Sequence, residues 1–158
     1  MNTPYKYERT ETVGELISKY SLIPDGTGSG AHVSIAGRIM QRRDQGKVVF
    51  GNLQDSSGRI QLFAPSKTTP NFESFSALNI GDWIGVKGEV MKTKRGELSV
   101  KVDQWEILAE TKRPFPDKWH GISDPDIRYR QRYVDMWVTE EAKKAFVLRS
   151  KLISMTRK

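Results

Sequence analysis

Apolar residues recur at every second position in five runs of this chain and at helical spacing in the stretches around them. Val33, Ile35 and Ile39 alternate with Ser34, Ala36 and Arg38, and Val49 and Leu53 alternate with Val48, Phe50 and Asn52. Ile60 and Leu62 alternate with Arg59, Gln61 and Phe63. Trp83–Met91 forms a fourth run, and in a fifth Leu98, Val100 and Val102 alternate with Glu97, Ser99 and Lys101. Each run predicts a strand that buries one face and wets the other. Asp44-Gln45-Gly46, Ser56-Ser57-Gly58 and Lys92–Gly96 supply turns, and Pro65 and Pro70 break the chain before a short helical stretch, Phe72–Leu78. Upstream, Thr12-Val13-Gly14-Glu15 has capping-box spacing and is backed by Val13, Leu16, Ile17 and Tyr20, which predicts a helix over about 13–20. Residues 24–30, PDGTGSG, read as a linker, because no Gly-Lys-Ser/Thr follows to make a phosphate loop.

Three hairpin-linked strands, a helix and two further strands are the order of an OB-fold. The expected fold is therefore mainly β: a five-stranded Greek-key barrel with a short N-terminal helix, a helix between strands 3 and 4, and a C-terminal helical extension. Such barrels take oligonucleotides on the face of strands 2–3 and in the loops joining strands 1–2 and 4–5. Here those loops are Arg42-Arg43-Asp44-Gln45-Gly46-Lys47 and Lys92-Thr93-Lys94-Arg95-Gly96, both basic.

Charge refines this picture. The chain carries a net +7, but residues 1–110 hold 14 Lys+Arg against 13 Asp+Glu, and residues 111–158 hold 12 against 6. The barrel is thus nearly neutral, and any polyanion site on it is local. No stretch approaches the ~20 apolar residues of a membrane span, and no apolar signal core opens the chain. With no cysteine, disulfides and thiolate metal sites are excluded, and a cytoplasmic setting is expected. His32 and His120 stand without ligand-type neighbours and read as surface or structural residues, so no metal site is expected.

Alternation also groups candidate readers of a base. With Val49 and Leu53 inward, Phe50 faces out beside Gly51; with Ile60 and Leu62 inward, Gln61 faces out on the next strand. With Leu98 and Val100 inward, Glu97 faces out at the mouth of the 4–5 loop, and Arg43 lies at the rim. An exposed Phe stacks a base. A uracil edge offers two acceptors around one donor, and Gln61, Glu97 and Arg43 together can match it. The competing reading covers Phe50 with the N-terminal segment and leaves Gln61 and Glu97 as ordinary surface residues. Arg38, Arg42, Lys47, Lys92, Lys94 and Arg95 complete the set of expected RNA contacts.

The stretches Val33–Met40, Arg42-Arg43, Gly46-Lys47, Leu53-Gln54-Asp55, Gly58–Leu62, Lys92-Thr93-Lys94 and Gly96–Ser99 resemble the barrel of bacterial class II lysyl-tRNA synthetases. Arg113-Pro114-Phe115-Pro116-Asp117-Lys118-Trp119-His120-Gly121 and Arg128-Tyr129-Arg130-Gln131-Arg132-Tyr133 are the most specific segments of that likeness. The resemblance implies a domain that binds the uridine-rich anticodon of lysine tRNA, with Phe50 stacking and Arg43, Gln61 and Glu97 reading edges. For a parent enzyme it implies ATP-dependent attachment of lysine to tRNA, ATP and magnesium as cofactors, and a homodimer. The chain departs from the family in lacking motifs 2 and 3, so no catalytic residue is expected within it.

The resulting division is 1–30, N-terminal helix and linker; 31–110, OB-fold anticodon-binding domain; and 111–158, a linker and the first helices of a truncated class II catalytic domain. In that last part, Tyr129, Tyr133, Met136 and Trp137 are expected to form one stripe. Thr139 is expected to cap a second helix, with Ala142, Ala145, Phe146, Leu152 and Ile153 buried. Arg128–Tyr133 reads either as a contact to RNA or, by resemblance, as packing between domains. The alternative to an anticodon-binding part of a ligase is a free-standing OB module that binds single-stranded nucleic acid or tRNA without catalysis.

Overall fold

The computed structural model describes residues 4–113, 122 and 124–158; most of the Arg113–Gly121 segment, His120 included, lies outside these residues. The chain divides into two units, 1–114 and 115–158.

The first unit opens with α1 (Val13–Tyr20), whose capping box forms as its sequence requires. Thr12 Oγ1 accepts from the Glu15 backbone at 3.3 Å while Glu15 Oε2 accepts from the Thr12 backbone at 2.7 Å. Val13 and Leu16 are buried, whereas Ile17 is exposed at the helix edge. Five strands follow: β1 (Gly28–Asp44), β2 (Val48–Gln54), β3 (Arg59–Pro65), β4 (Trp83–Lys92) and β5 (Leu98–Ala109), with α2 (Phe72–Ser76) between β3 and β4. They close a barrel in the order β1-β2-β3-β5-β4, with β3 and β5 parallel and every other pair antiparallel. This is the expected OB-fold.

The inner face collects Val33, Ile35, Ile39, Val49, Leu53, Ile60, Leu62, Ile84, Val86, Val90, Val100 and Val102, together with Phe75 of α2. Period-two alternation singles out Val33, Ile35, Ile39, Val49, Leu53, Ile60, Leu62, Val100 and Val102 of this set. The Phe75 ring meets Trp105 edge-on, with centroids 5.3 Å apart. The tight turns close where glycine allows a left-handed backbone. Gly46 lies at φ 76° with its N–H on Asp44 Oδ1 at 2.7 Å, and Gly96 lies at φ 82°.

Three expectations change. Residues 28–30, read as linker, are already the start of β1, and β5 runs on to Ala109. The outer side of β1 is not wet throughout: Ser34 is buried beneath Tyr7–Thr10, donating to the Glu8 carbonyl at 2.7 Å while its backbone carbonyl takes the Thr10 N–H at 2.8 Å. The described part of the N-terminal segment therefore covers β1 at Ser34.

In the second unit the single stripe does not form. The helix breaks at Gln131 (φ −111°, ψ 50°) into α3 (Pro125–Arg130) and α4 (Arg132–Val138), and Tyr129 and Tyr133 are 73% and 63% exposed. Asp135 is the buried residue instead. It receives Arg128 Nε at 2.9 Å, Arg132 Nη1 at 3.2 Å and the Thr139 hydroxyl at 2.8 Å. Burial alone would raise the Asp135 pKa, but these donors and the two guanidinium charges outweigh it and hold the carboxyl below its ordinary range. Thr139 sits at the N-cap of α5 (Glu140–Thr156), yet its side chain is spent on Asp135 and makes no cap bond. Along α5 only Ala142 of the expected stripe is buried, because the helix packs on α4 near its start; Leu152 and Ile153 are exposed. No helix among the described residues is long and apolar enough to cross a membrane.

Candidate nucleic-acid interface

Pairing register places the outward side chains of β1, β2, β3 and β5 in straight rows. Arg43 lies opposite Phe50, Phe50 opposite Phe63, and Phe63 opposite Lys101. The two rings lie 5.5 Å apart at 42°, forming a tilted aromatic plate with a cation at each end of the row. Both rings are half-buried and keep open surface.

The next row is polar: Gln41 opposite Asn52, Asn52 opposite Gln61, Gln61 opposite Ser99. Asn52 Nδ2 donates to Gln41 Oε1 at 3.0 Å, and the buried Ser99 hydroxyl donates to Gln61 Oε1 at 2.9 Å. Asn52 and Gln61 open into a cleft of about 450 Å3 bounded by Ile17 and Ser21 of α1 and its exit, and by Glu97 and Leu98 at the 4–5 loop. That volume is in the range of small-ligand sites. Glu97 is exposed there, and Arg59, whose Nε donates to Gln54 Oε1 at 2.6 Å, forms part of the wall.

The expected residues separate into groups. Arg43 and Phe50 share the aromatic row, Gln61 and Glu97 share the cleft, and Lys47, Lys94 and Arg95 are exposed on the two flanking loops. Lys92 is held: its Nζ lies 3.1 Å from Asp25 Oδ1 and donates to the Ser21 carbonyl at 3.3 Å, which ties the 4–5 loop to the turn after α1. Arg42 pairs with Gly51, on the core side of the sheet, and is half-buried with Nη1 enclosed. Arg38 pairs with Gln54, at the far end of β2 from Phe50. Its guanidinium lies 5.1 Å from the Trp83 ring centroid, and burial pushes its pKa down to about 10, which leaves it cationic at neutral pH. Phe63, Asn52, Arg59, Ser99 and Lys101 join the face without having been singled out from sequence. For Phe63 the signal was present, since alternation put it outward on the strand beside Phe50.

The outer face therefore has a stacking surface, directed amides, a carboxylate acceptor and mobile-length cations within one sheet region. These are the elements that hold unpaired bases and their backbone.

Comparison with known proteins agrees. The family described as "OB-fold nucleic acid binding domain", of the tRNA anti-codon type, matches residues 33–108. A lysine–tRNA ligase of Carboxydothermus hydrogenoformans is 44% identical over 98% of this chain and 31% of its own length. One from Clostridium perfringens is 41% identical over 97% and 30%, and one from Fervidobacterium nodosum 41% over 98% and 30%. The chain thus spans about three-tenths of the length of these curated relatives. Its residues 33–108 are an anticodon-binding OB-fold domain, and over nearly its whole length the chain is a homologue of the lysine–tRNA ligases.

Proposed function

We propose that this chain binds the anticodon loop of lysine tRNA on the outer face of β2–β3, as the anticodon-binding part of a lysine–tRNA ligase. The observation that carries the reading is the outward Phe50–Phe63 plate, flanked by Arg43 and set beside a cleft lined by Asn52, Gln61 and Glu97. Phe50 stacks one base, Gln61 and Glu97 meet base edges, and Arg43, Lys47, Lys94 and Arg95 hold phosphates. Binding positions the tRNA; the ATP-dependent attachment of lysine, and the homodimer expected of the parent enzyme, belong to the whole ligase. ATP and magnesium are likewise assigned to that whole enzyme.

Fluorescence anisotropy tests the reading with a lysine anticodon stem-loop and a copy whose central uridine is replaced. Preference for the unaltered loop supports anticodon recognition. Equal binding of both favours a free-standing OB module for single-stranded nucleic acid, and absence of binding removes the site.

A further inference from the structure

A row of four polar side chains crosses three adjacent strand pairs on the proposed binding face: Gln41 (β1), Asn52 (β2), Gln61 (β3) and Ser99 (β5). Its two outer members each hold one end of an inner amide. Gln41 Oε1 takes one N–H of Asn52 Nδ2, at 3.0 Å. The Ser99 hydroxyl lies 2.9 Å from Gln61 Oε1 and 3.1 Å from the Glu97 carbonyl. A hydroxyl has one proton, and Gln61 Oε1 is the nearer of the two acceptors offered to it. Ser99 is fully buried and cannot trade this bond for one to water.

An amide held by its oxygen has its NH2 left to offer, and an amide held by its NH2 has its oxygen left to offer. The two central residues, directly opposite each other and both lining the cleft, therefore present unlike groups: donors from Gln61 and an acceptor from Asn52. A uracil edge, with O4 an acceptor next to the N3–H donor, complements that pair. A cytosine edge places its amino group and N3 where these are, so donor meets donor and acceptor meets acceptor.

We propose that Ser99 and Gln41 are positioning residues that fix the polarity of the Gln61 and Asn52 amides, making this row a selector for uridine over cytidine. This rests on the anticodon-binding reading above and adds to it Asn52 as a base-edge contact and Ser99 and Gln41 as the source of its specificity. Without Ser99 the Gln61 amide rotates freely and accommodates either base.

The test is anisotropy on the full 158-residue chain with a uridine-rich lysine anticodon stem-loop and with loops carrying single uridine-to-cytidine changes. The unaltered chain is expected to disfavour one cytidine loop by about tenfold, the order of one matched edge contact. Ser99→Ala is expected to collapse that ratio toward about one by raising cytidine affinity, with uridine affinity held within about threefold, and Ser99→Thr to restore it. Gln41→Ala, at the exposed end of the row, is expected to lower the same ratio without touching the core, and it decides the matter should Ser99→Ala fail to fold. An unchanged ratio in Ser99→Ala or Gln41→Ala, or an equal loss for all loops, overturns the selector while leaving anticodon binding in place. Equal binding of uridine and cytidine loops by the unaltered chain overturns both.

Discussion

Asp55 Oδ2 accepts the backbone N–H of Val13 at 2.9 Å, so a turn residue of the β2–β3 hairpin satisfies an open donor at the start of α1. Its other oxygen takes the N–H groups of Ser57 and Gly58, at 2.7 and 3.0 Å, and the Ser57 hydroxyl at 2.7 Å. Ser57 Oγ in turn takes the Gly14 N–H at 2.8 Å. One carboxylate thus shapes the hairpin and docks the helix that walls the cleft with Ile17. Asp55→Ala is expected to cost ~1–3 kcal/mol, because it leaves several donors without an acceptor. Urea denaturation checks this: the midpoint falls, with the strand signal in circular dichroism retained below it. An unchanged midpoint would show that α1 is held by Val13 and Leu16 packing alone.

Asp135 makes the second unit sensitive to acid. Its folded pKa is depressed by Arg128, Thr139 and Arg132 against the upward push of burial. A group of this sign contributes fully above the unfolded aspartate value of ~3.9 and loses its contribution as pH falls through the folded value. Helical signal from α3–α5 is therefore expected to decline below about pH 4, ahead of the barrel core. Asp135→Asn is expected to weaken the unit at neutral pH and to flatten that acid limb. Circular dichroism at 222 nm across a pH series reads both, and an Asp135→Asn chain with the same acid limb would locate it in another carboxylate.

How much of this was legible in the sequence depends on what each residue touches. Period-two alternation depends on neighbours in the sheet alone, so the five strands, the core of Val49, Leu53, Ile60 and Leu62, and the outward Phe50 and Gln61 could all be read in advance. Ser34 could not, because its burial comes from a segment 24 residues away, at Thr10. The same holds for Lys92, whose charge the turn at Asp25 claims. Arg42 was grouped with Arg43 as part of a basic loop, but a one-residue step along a strand reverses the face, and register alone separates the two. The break at Gln131 follows from Asp135, which draws in Arg128 from α3 and Arg132 from α4, a side-chain demand that helical periodicity does not encode.

The contrast between held and open cations predicts different salt responses. Each phosphate contact on a single strand contributes a slope of about −0.7 in log K against log salt. Lys94→Ala and Arg95→Ala remove exposed charges of the 4–5 loop, so each is expected to weaken stem-loop binding and to flatten the slope by about that amount. Lys92→Ala is expected to leave the slope nearly unchanged, since its ammonium is engaged by Asp25 and the Ser21 carbonyl, and to lower loop order instead. Anisotropy titrations at several salt concentrations separate these cases. A slope change for Lys92→Ala equal to that of Lys94→Ala would mean that Lys92 leaves Asp25 to meet phosphate.

Phe50 and Phe63 face each other across the hairpin, and only one of them was expected to stack a base. If Phe50 carries the base and Phe63 braces its ring, the two truncations will differ in size and will not add. Phe50→Ala is expected to weaken binding of the lysine anticodon stem-loop by ~1–3 kcal/mol, the worth of one base on an aromatic platform. Phe63→Ala removes an aromatic pair and the ring's support, and is expected to cost ~0.5–1.5 kcal/mol. The double variant is expected to lose less than the sum of the two, because once Phe50 is gone Phe63 has nothing left to brace. A double-mutant cycle by anisotropy measures that coupling directly. Strict additivity would instead make Phe63 a second, independent platform, and two stacked bases would then lie along the row from Arg43 to Lys101.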